Sequence, residues 1–337
     1  MTSTAPAPGA APESPRGPLR SAVVFNPVRV RDMPARRELI EAALTAAGWP
    51  SPAWLETTEH DPGAGQARQA IEDGAQVVFA CGGDGTVRSC IEGLADTGIA
   101  LAILPAGTGN LLATNLGVPP DPAAGVRLAT EGGRLHIDIG DVEGHAFAVM
   151  AGIGFDAALL RDASTSLKAR IGAPAYAVSA LRHLRDRPMS LQIRIDEDPT
   201  RTRRARTVVI GNVGRLQGGV DLLPGASPDS GQFEVAILAP RTLGHWAALT
   251  WGVVVRRQRH VRHREVLHGS RITVTSDQDE PRQLDGDVID PGRSLSIAVR
   301  PGALLICVPL PDGGSDRPAE PLDAILVKAT EPEPVAD

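Results

Sequence analysis

Two neighbouring segments of this chain each run an apolar strand into a glycine loop and then into a helix-like stretch. The first is "AQVVFACGGDGTVRSCIEGLADTG", residues 75–98, and the second is "IALAILPAGTGNLLATNLG", residues 99–117. Upstream the same alternation holds. "SAVVFNP" (21–27) and "SPAWLETTE" (51–59) read as strands, and "ARRELIEAALTAAG" (35–48) and "GAGQARQAIEDG" (63–74) carry helical periodicity with a glycine stop. Strands alternating with helices imply a parallel sheet covered on both faces. The pattern therefore predicts an α/β domain over residues 21–134. Its loops "NPV", "GGDGT" and "AGTGN" fall at the strands' carboxyl ends, where such sheets bind ligands.

After about Gly133 the pattern changes. "RLHIDIGDVEGHAFAVMAG", "MSLQIRIDED", "ARTVVIGNVG", "GQFEVAILAP", "SRITVTSD", "RQLDGDVI" and "SLSIAVRPGALLICVP" read as strands joined by short polar turns. Helical stretches interrupt them near 156–186 and 241–258. This predicts a second, mostly antiparallel domain over 135–310, a sandwich or barrel. Residues 1–20 are Pro/Ala-rich and read as a disordered tail without a secretory signal. Residues 311–337 hold seven acids against two bases and read as an acidic flexible tail.

Glycines let backbone N–H groups approach an anion closely, and a helix start adds a partial positive charge. Asp84, at the centre of "GGDGT", would repel phosphate unless a divalent cation stands between them. Mg²⁺ takes a carboxylate, waters and substrate phosphates, so the acid suits a Mg–nucleotide and phosphoryl transfer. The local alternative is a tight turn with Asp84 capping a helix. The second loop favours a triphosphate over one phosphate, with Thr108 and Asn110 offering polar contacts.

The chain has only two lysines, Lys168 and Lys328. With no GK[ST] and no V-A-I-K, it is neither a Walker-type NTPase nor a protein kinase. Backbone N–H groups, arginines and a metal must handle any phosphate. The net charge of −6 sits mostly in the C-terminal tail, and no basic domain points to nucleic acid. Cys81, Cys90 and Cys307 are scattered and odd in number, as expected of reduced thiols in a cytoplasmic protein. "GIGFDA" (152–157) mimics a dinucleotide fingerprint. It lacks the acid that should follow about 20 residues on, and it opens the β-rich region.

"FNPV", "CGGDGTV", "LPAGTGNLLATNLGVP", "MAGIGFDAALL" and "LDGDVI", in this order and spacing, resemble the bacterial diacylglycerol kinase family, whose catalytic domain is shared with sphingosine and ceramide kinases. The resemblance covers about residues 21–310. It implies an N-terminal nucleotide domain and a C-terminal β-sandwich with the active site between them. It also implies ATP- and Mg²⁺-dependent phosphorylation of a lipid hydroxyl. The nucleotide-lining positions it carries over are Asn26, Pro27, Thr58 (Thr57 being second choice), Gly82, Gly83, Asp84, Gly85, Thr86 and Thr108. The family's general base is the last acid of an Asp-Gly-Glu. Here the sequence is Asp285-Gly286-Asp287, so Asp287 takes that place, shorter by one methylene. Without the family, "LDGDV" reads as a hairpin turn, and both readings can hold together.

The chain departs from the family twice. Arg88 and Ser89 stand where the family carries Asn-Glu. Arg88 is then either a phosphate contact or a solvent-facing residue. In "GASPDSGQFEV", Ser230 replaces the acid of a structural Mg²⁺ site, with Asp229 one position early.

For lipid access, Trp246 and Trp251 followed by five arginines and two histidines within 256–264 suit an interfacial helix on anionic lipid; a core helix with a solvated basic end is the alternative. Asp156 lies where related lipid kinases approach the head group, or caps a helix. The expected partners are nucleotide, lipid substrate and a peripheral membrane surface. Oligomeric state is not readable, and a homodimer stays open. The rival functions are a soluble kinase of the NAD-kinase type and a catalytically weak lipid or nucleotide sensor.

Overall fold

The structure, a computed structural model, describes residues 17–30, 32–107, 109–154, 188–215, 222–239 and 264–310. The expected helices near 156–186 and 241–258, the Trp246/Trp251 basic segment up to residue 263 and the acidic tail lie outside these residues, as does the N-terminal tail through residue 16.

The first domain follows the alternation. Strands β1 (Ser21–Phe25), β2 (Ala53–Glu56), β3 (Val77–Gly82) and β4 (Ala100–Pro105) pair in parallel in the order β2-β1-β3-β4. Helices α1 (Met33–Ala46), α2 (Ala64–Glu72), α3 (Asp84–Leu94), α4 (Leu111–Asn115) and α5 (Pro122–Glu131) lie between and after them. The central strands are continuous apolar runs because helices cover both faces. Alternate side chains serve opposite layers. Val23, Val77 and Phe79 pack with Ile40 and Leu44 of α1 and Val126 of α5, while Ala22, Val24 and Val78 pack with Ala67 of α2 and Cys90 and Ile91 of α3.

The second domain is antiparallel. It comprises β5 (Gly133–Val142), β6 (His145–Phe147), β7 (Met150–Gly154), β8 (Met189–Ile195), β9 (Arg201–Ala205), β10 (Thr207–Gly211), β11 (Phe233–Leu238), β12 (Arg264–Gly269), β13 (Arg271–Leu284) and β14 (Asp287–Val308). Its core centres on Phe147 and Phe233, whose ring centroids lie 5.3 Å apart, with Ile153, Leu191, Ile272 and Leu295 around them.

Two features differ from the sequence reading. "RITVTSD" and "RQLDGDVI" are not separate strands flanking a loop. They belong to the long β13–β14 hairpin, whose polar middle absorbs irregular register near Glu280. Nor do the last residues of the 135–310 segment stay in the sandwich. Beyond a register shift between Arg300 and Leu304, β14 enters the first sheet, where Ile306 pairs with Leu101 of β4. Leu304, Ile306 and Val308 join the α/β core. One sheet path thus runs from β12 through β13 and β14 to β2.

Candidate active site

The two glycine loops meet backbone to backbone. A Cβ built on Gly107 would lie 3.0 Å from the Cα of Gly83, closer than a side chain tolerates without displacing backbone. Asp84 ties the loops together. Its carboxylate accepts the backbone N–H of Asn110 at 2.9 Å and of Leu111 at 2.7 Å. Asp84 therefore caps a helix start, but that of α4 across the cleft rather than its own. Burial pushes the Asp84 carboxyl above its usual range, opposed by these N–H groups, and nearby Asp287 pushes the same way as burial. Asn110 is buried in the left-handed region, φ 42°, and its Nδ2 donates to the Gly107 carbonyl at 2.7 Å. Its Oδ1 is buried without a partner. The N-cap of α3, Gly83, offers no side-chain cap.

The β13–β14 hairpin brings the second domain to this point. Leu284 pairs with Asp287 across a two-residue turn, with Asp285 at φ 50° and Gly286 at φ 90°. That is the pattern of a type I′ turn, which Asp-Gly favours. The turn reading of "LDGDV" holds. Asp285 is buried and accepts three backbone N–H groups, from Ala148, Val149 and Met150, each at 2.9 Å. Desolvation outweighs these donors and pushes its carboxyl up to about 6. Asp287, half-exposed, faces the start of α3, where a Cβ on Gly85 would lie 3.9 Å from its Oδ2.

Arg88 neither faces solvent nor stands apart from the acids. Its Nε and Nη2 lie 3.2 and 3.1 Å from Asp287 Oδ2, and its Nη1 lies 3.2 Å from Glu92 Oε1. Ser89 is buried against the core side of α3.

The remaining expected residues divide. Asn26 and Pro27 follow β1, adjacent to β3. Asn26 Oδ1 accepts the N–H groups of Val28 and Arg29, both at 3.0 Å, and its own N–H donates to Cys81 O. Gly82 and Thr86 are buried against one another, with the Thr86 side chain over Gly82. Thr58 is exposed after β2, where its hydroxyl accepts the Asp61 N–H at 3.0 Å; Thr57 is buried. Thr108 and Asp156 lie outside the described residues.

Asp229 and Ser230 stand on a separate loop before β11. The Ser227 hydroxyl donates to Asp229 Oδ1 at 2.6 Å, and the Ser230 hydroxyl lies 2.9 Å from the backbone oxygens of Ser227 and Gln232. Among the described residues no three metal-ligating side chains gather.

Sequence reasoning missed three residues. Asp138 is buried on β5 and accepts the N–H of Gly231 at 2.6 Å and of Gly302 at 2.8 Å; burial raises its carboxyl. In "HIDIG" the acid fits the alternation of a strand with one solvated face, so the sequence carried no signal of its burial. Arg36 of α1 donates from Nη2 to Pro105 O at 2.6 Å, beside the second loop. Glu92, one turn after Arg88, was legible only as an i,i+4 partner.

A glycine cradle on an α/β sheet, faced by a carboxylate from a β-sandwich, defines a kinase of the two-domain type. Residues 20–142 match the family model of the diacylglycerol kinase catalytic domain, and residues 148–308 match that of the YegS C-terminal NAD kinase beta sandwich-like domain. A "Probable lipid kinase YegS-like" protein of Pseudomonas fluorescens is 32% identical over 284 residues, covering 82% of this chain and 92% of its relative. A "Diacylglycerol kinase" of Staphylococcus saprophyticus is 26% identical over 275 residues, covering 80% and 88%. The crystal structure of a diacylglycerol kinase from Bacillus anthracis superposes with a TM-score of 0.70 at 21% identity, covering 86% of this chain and 96% of that one, and so shares the fold. The chain belongs to the diacylglycerol kinase family.

Proposed function

We propose that this protein is an ATP- and Mg²⁺-dependent kinase that phosphorylates the hydroxyl of diacylglycerol or a related neutral lipid. One observation carries the reading: Asp287 meets the start of α3 beside the paired glycine loops, with both of its contacts to Arg88 on Oδ2. Its Oδ1 is left to accept an alcohol proton.

The residues fit a Mg–nucleotide. The α3 start has no side-chain cap, so its first-turn N–H groups suit phosphate oxygens. The buried Asn110 Oδ1 lacks a donor. Asp84, whose carboxyl burial pushes up, would help to hold a divalent cation that relieves its charge. Bound Mg²⁺ would neutralise charge on the transferring phosphoryl group. Asn26, Pro27, Thr58, Gly82–Thr86 and Thr108 would line the nucleotide. Asp287 would orient the acceptor hydroxyl and take its proton. Val288, next to it and 40% exposed, offers apolar surface to an acyl chain.

Among the described residues no helix is long and apolar enough to cross a membrane. A cytoplasmic protein meeting the membrane through the Trp246/Trp251 segment fits this reading.

The test is transfer of labelled γ-phosphate onto a panel of lipids in mixed micelles. Labelled diacylglycerol is expected, lost in Asp84→Ala. A micelle-independent product on a water-soluble alcohol would replace the reading with a soluble-substrate kinase. Nucleotide binding without turnover on any acceptor would make the protein a sensor.

A further inference from the structure

We infer that Arg88 is a positioning residue for Asp287, held in its working rotamer by Glu92. The inference rests on the reading of Asp287 as the base and goes beyond it. Two guanidinium nitrogens converge on Asp287 Oδ2, at 3.1 and 3.2 Å, while the third reaches Glu92 Oε1 at 3.2 Å. The Arg88 side chain is 18% exposed against 52% for Asp287, so the arginine is the fixed partner and the aspartate the one being held.

The arrangement suits a short base. An aspartate at a hairpin tip has little reach, and a half-exposed one samples several rotamers. A planar fork anchored on a helix restricts it and leaves Oδ1 open. In the transfer step the acceptor oxygen bonds to the γ-phosphorus as its proton passes to Asp287 Oδ1. The bond from that phosphorus to the β–γ bridging oxygen breaks, and its electron pair leaves with ADP. Asp287 becomes neutral. Arg88 keeps its pairing to Glu92, so the fork stays in place for the return of the proton to solvent.

The experiment compares Arg88→Gln, Arg88→Lys, Asp287→Asn and the double variant Arg88→Gln/Asp287→Asn in the lipid kinase assay, with thermal midpoints recorded for each. Arg88→Gln should lower kcat by roughly 10- to 100-fold, as expected when a reacting group is misplaced by about 1 Å, with KM for ATP within about twofold. Arg88→Lys, a point charge without the fork, should fall between. In the Asp287→Asn background, which has no base left to aim, removal of Arg88 should cost less than about threefold.

Equal losses in both backgrounds overturn the inference, as does a raised KM for ATP with kcat intact, which would make Arg88 a nucleotide contact. A fully active Asp287→Asn protein overturns the base assignment and the inference with it; an inactive Asp287→Asn beside a fully active Arg88→Gln overturns the inference alone. Should the parent chain phosphorylate no acceptor, urea midpoints of Arg88→Gln, Asp287→Asn and their double variant read the pair directly, and strictly additive shifts overturn it.

Discussion

The carboxylate of Asp84 accepts the backbone N–H of Leu111 at 2.7 Å, so the acid of the first glycine loop builds the second. Removing it does two things at once. Asp84→Ala leaves the N–H groups of Asn110 and Leu111 without their acceptor, at a cost of about 1–3 kcal/mol. Kinase activity should fall below detection. Asp84→Asn keeps one acceptor oxygen and should recover part of the stability but not the activity. Urea unfolding and the micelle assay, run on both variants, separate the roles.

Asp287 contributes nothing to the core and half its side chain is exposed. Asp287→Asn should therefore unfold within about 0.5 kcal/mol of the parent. Its kcat should drop by about 10²- to 10⁴-fold, the usual worth of a positioned base. A large stability change would assign the residue to the hairpin rather than to the chemistry.

Gly107 sits where a methyl group would press on Gly83 from 3.0 Å. Neither loop can yield without disturbing the Asp84 contacts. Gly107→Ala should raise KM for ATP more than it lowers kcat, and should shift the thermal midpoint down by several degrees. An unchanged KM would show that the loops separate freely.

Asp285 gives a pH signature. Its carboxyl is raised to about 6 from an ordinary value of 3.8, so the folded chain holds this proton more tightly than the unfolded one. Its contribution to stability is therefore full below about pH 4 and is lost as pH rises through 6. The loss by pH 7 is on the order of 3 kcal/mol. The stability of the parent minus that of Asp285→Asn should decline across this window. A flat difference between pH 4 and 7 would mean that the three N–H donors, not burial, dominate the site.

The strand–loop–helix units were legible because run length, glycine and helical period are local. The cradle of Gly82–Thr86 followed from them. Asp287 was not legible that way. "LDGDV" encodes a hairpin turn, and only the family motif marked its last acid. The Arg88–Asp287 pair was out of reach because 199 residues separate the partners and the contact exists only once β13 and β14 fold back on α3. The β13 strand hid behind its charges. "QDEP" reads as a turn, yet it continues the ribbon: Asp277, Gln278 and Asp279 are solvated there, while Arg282 and Gln283 just beyond are buried. Asp138 follows the polar/apolar alternation of β5 as a solvent-facing acid would, so neither its burial nor its partners, Gly231 and Gly302, left a trace.

The ribbon of β5 and β14 has a mechanical consequence. The chain leaves the nucleotide domain along β5 and returns along β14, and these two passages are hydrogen-bonded to each other. Their ladder is interrupted between Arg300 and Leu304, where Gly302 lies at φ 60° and Asp138 grips its N–H. The two domains are thus joined by a beam with one notch, and beside it α3 shares a buried core with Ala146, Ala148 and Val149 of the second domain. One buried carboxylate, more than 140 residues from Asp287 in sequence, thus fixes the bend of the strand pair that carries the β13–β14 hairpin back to the glycine loops.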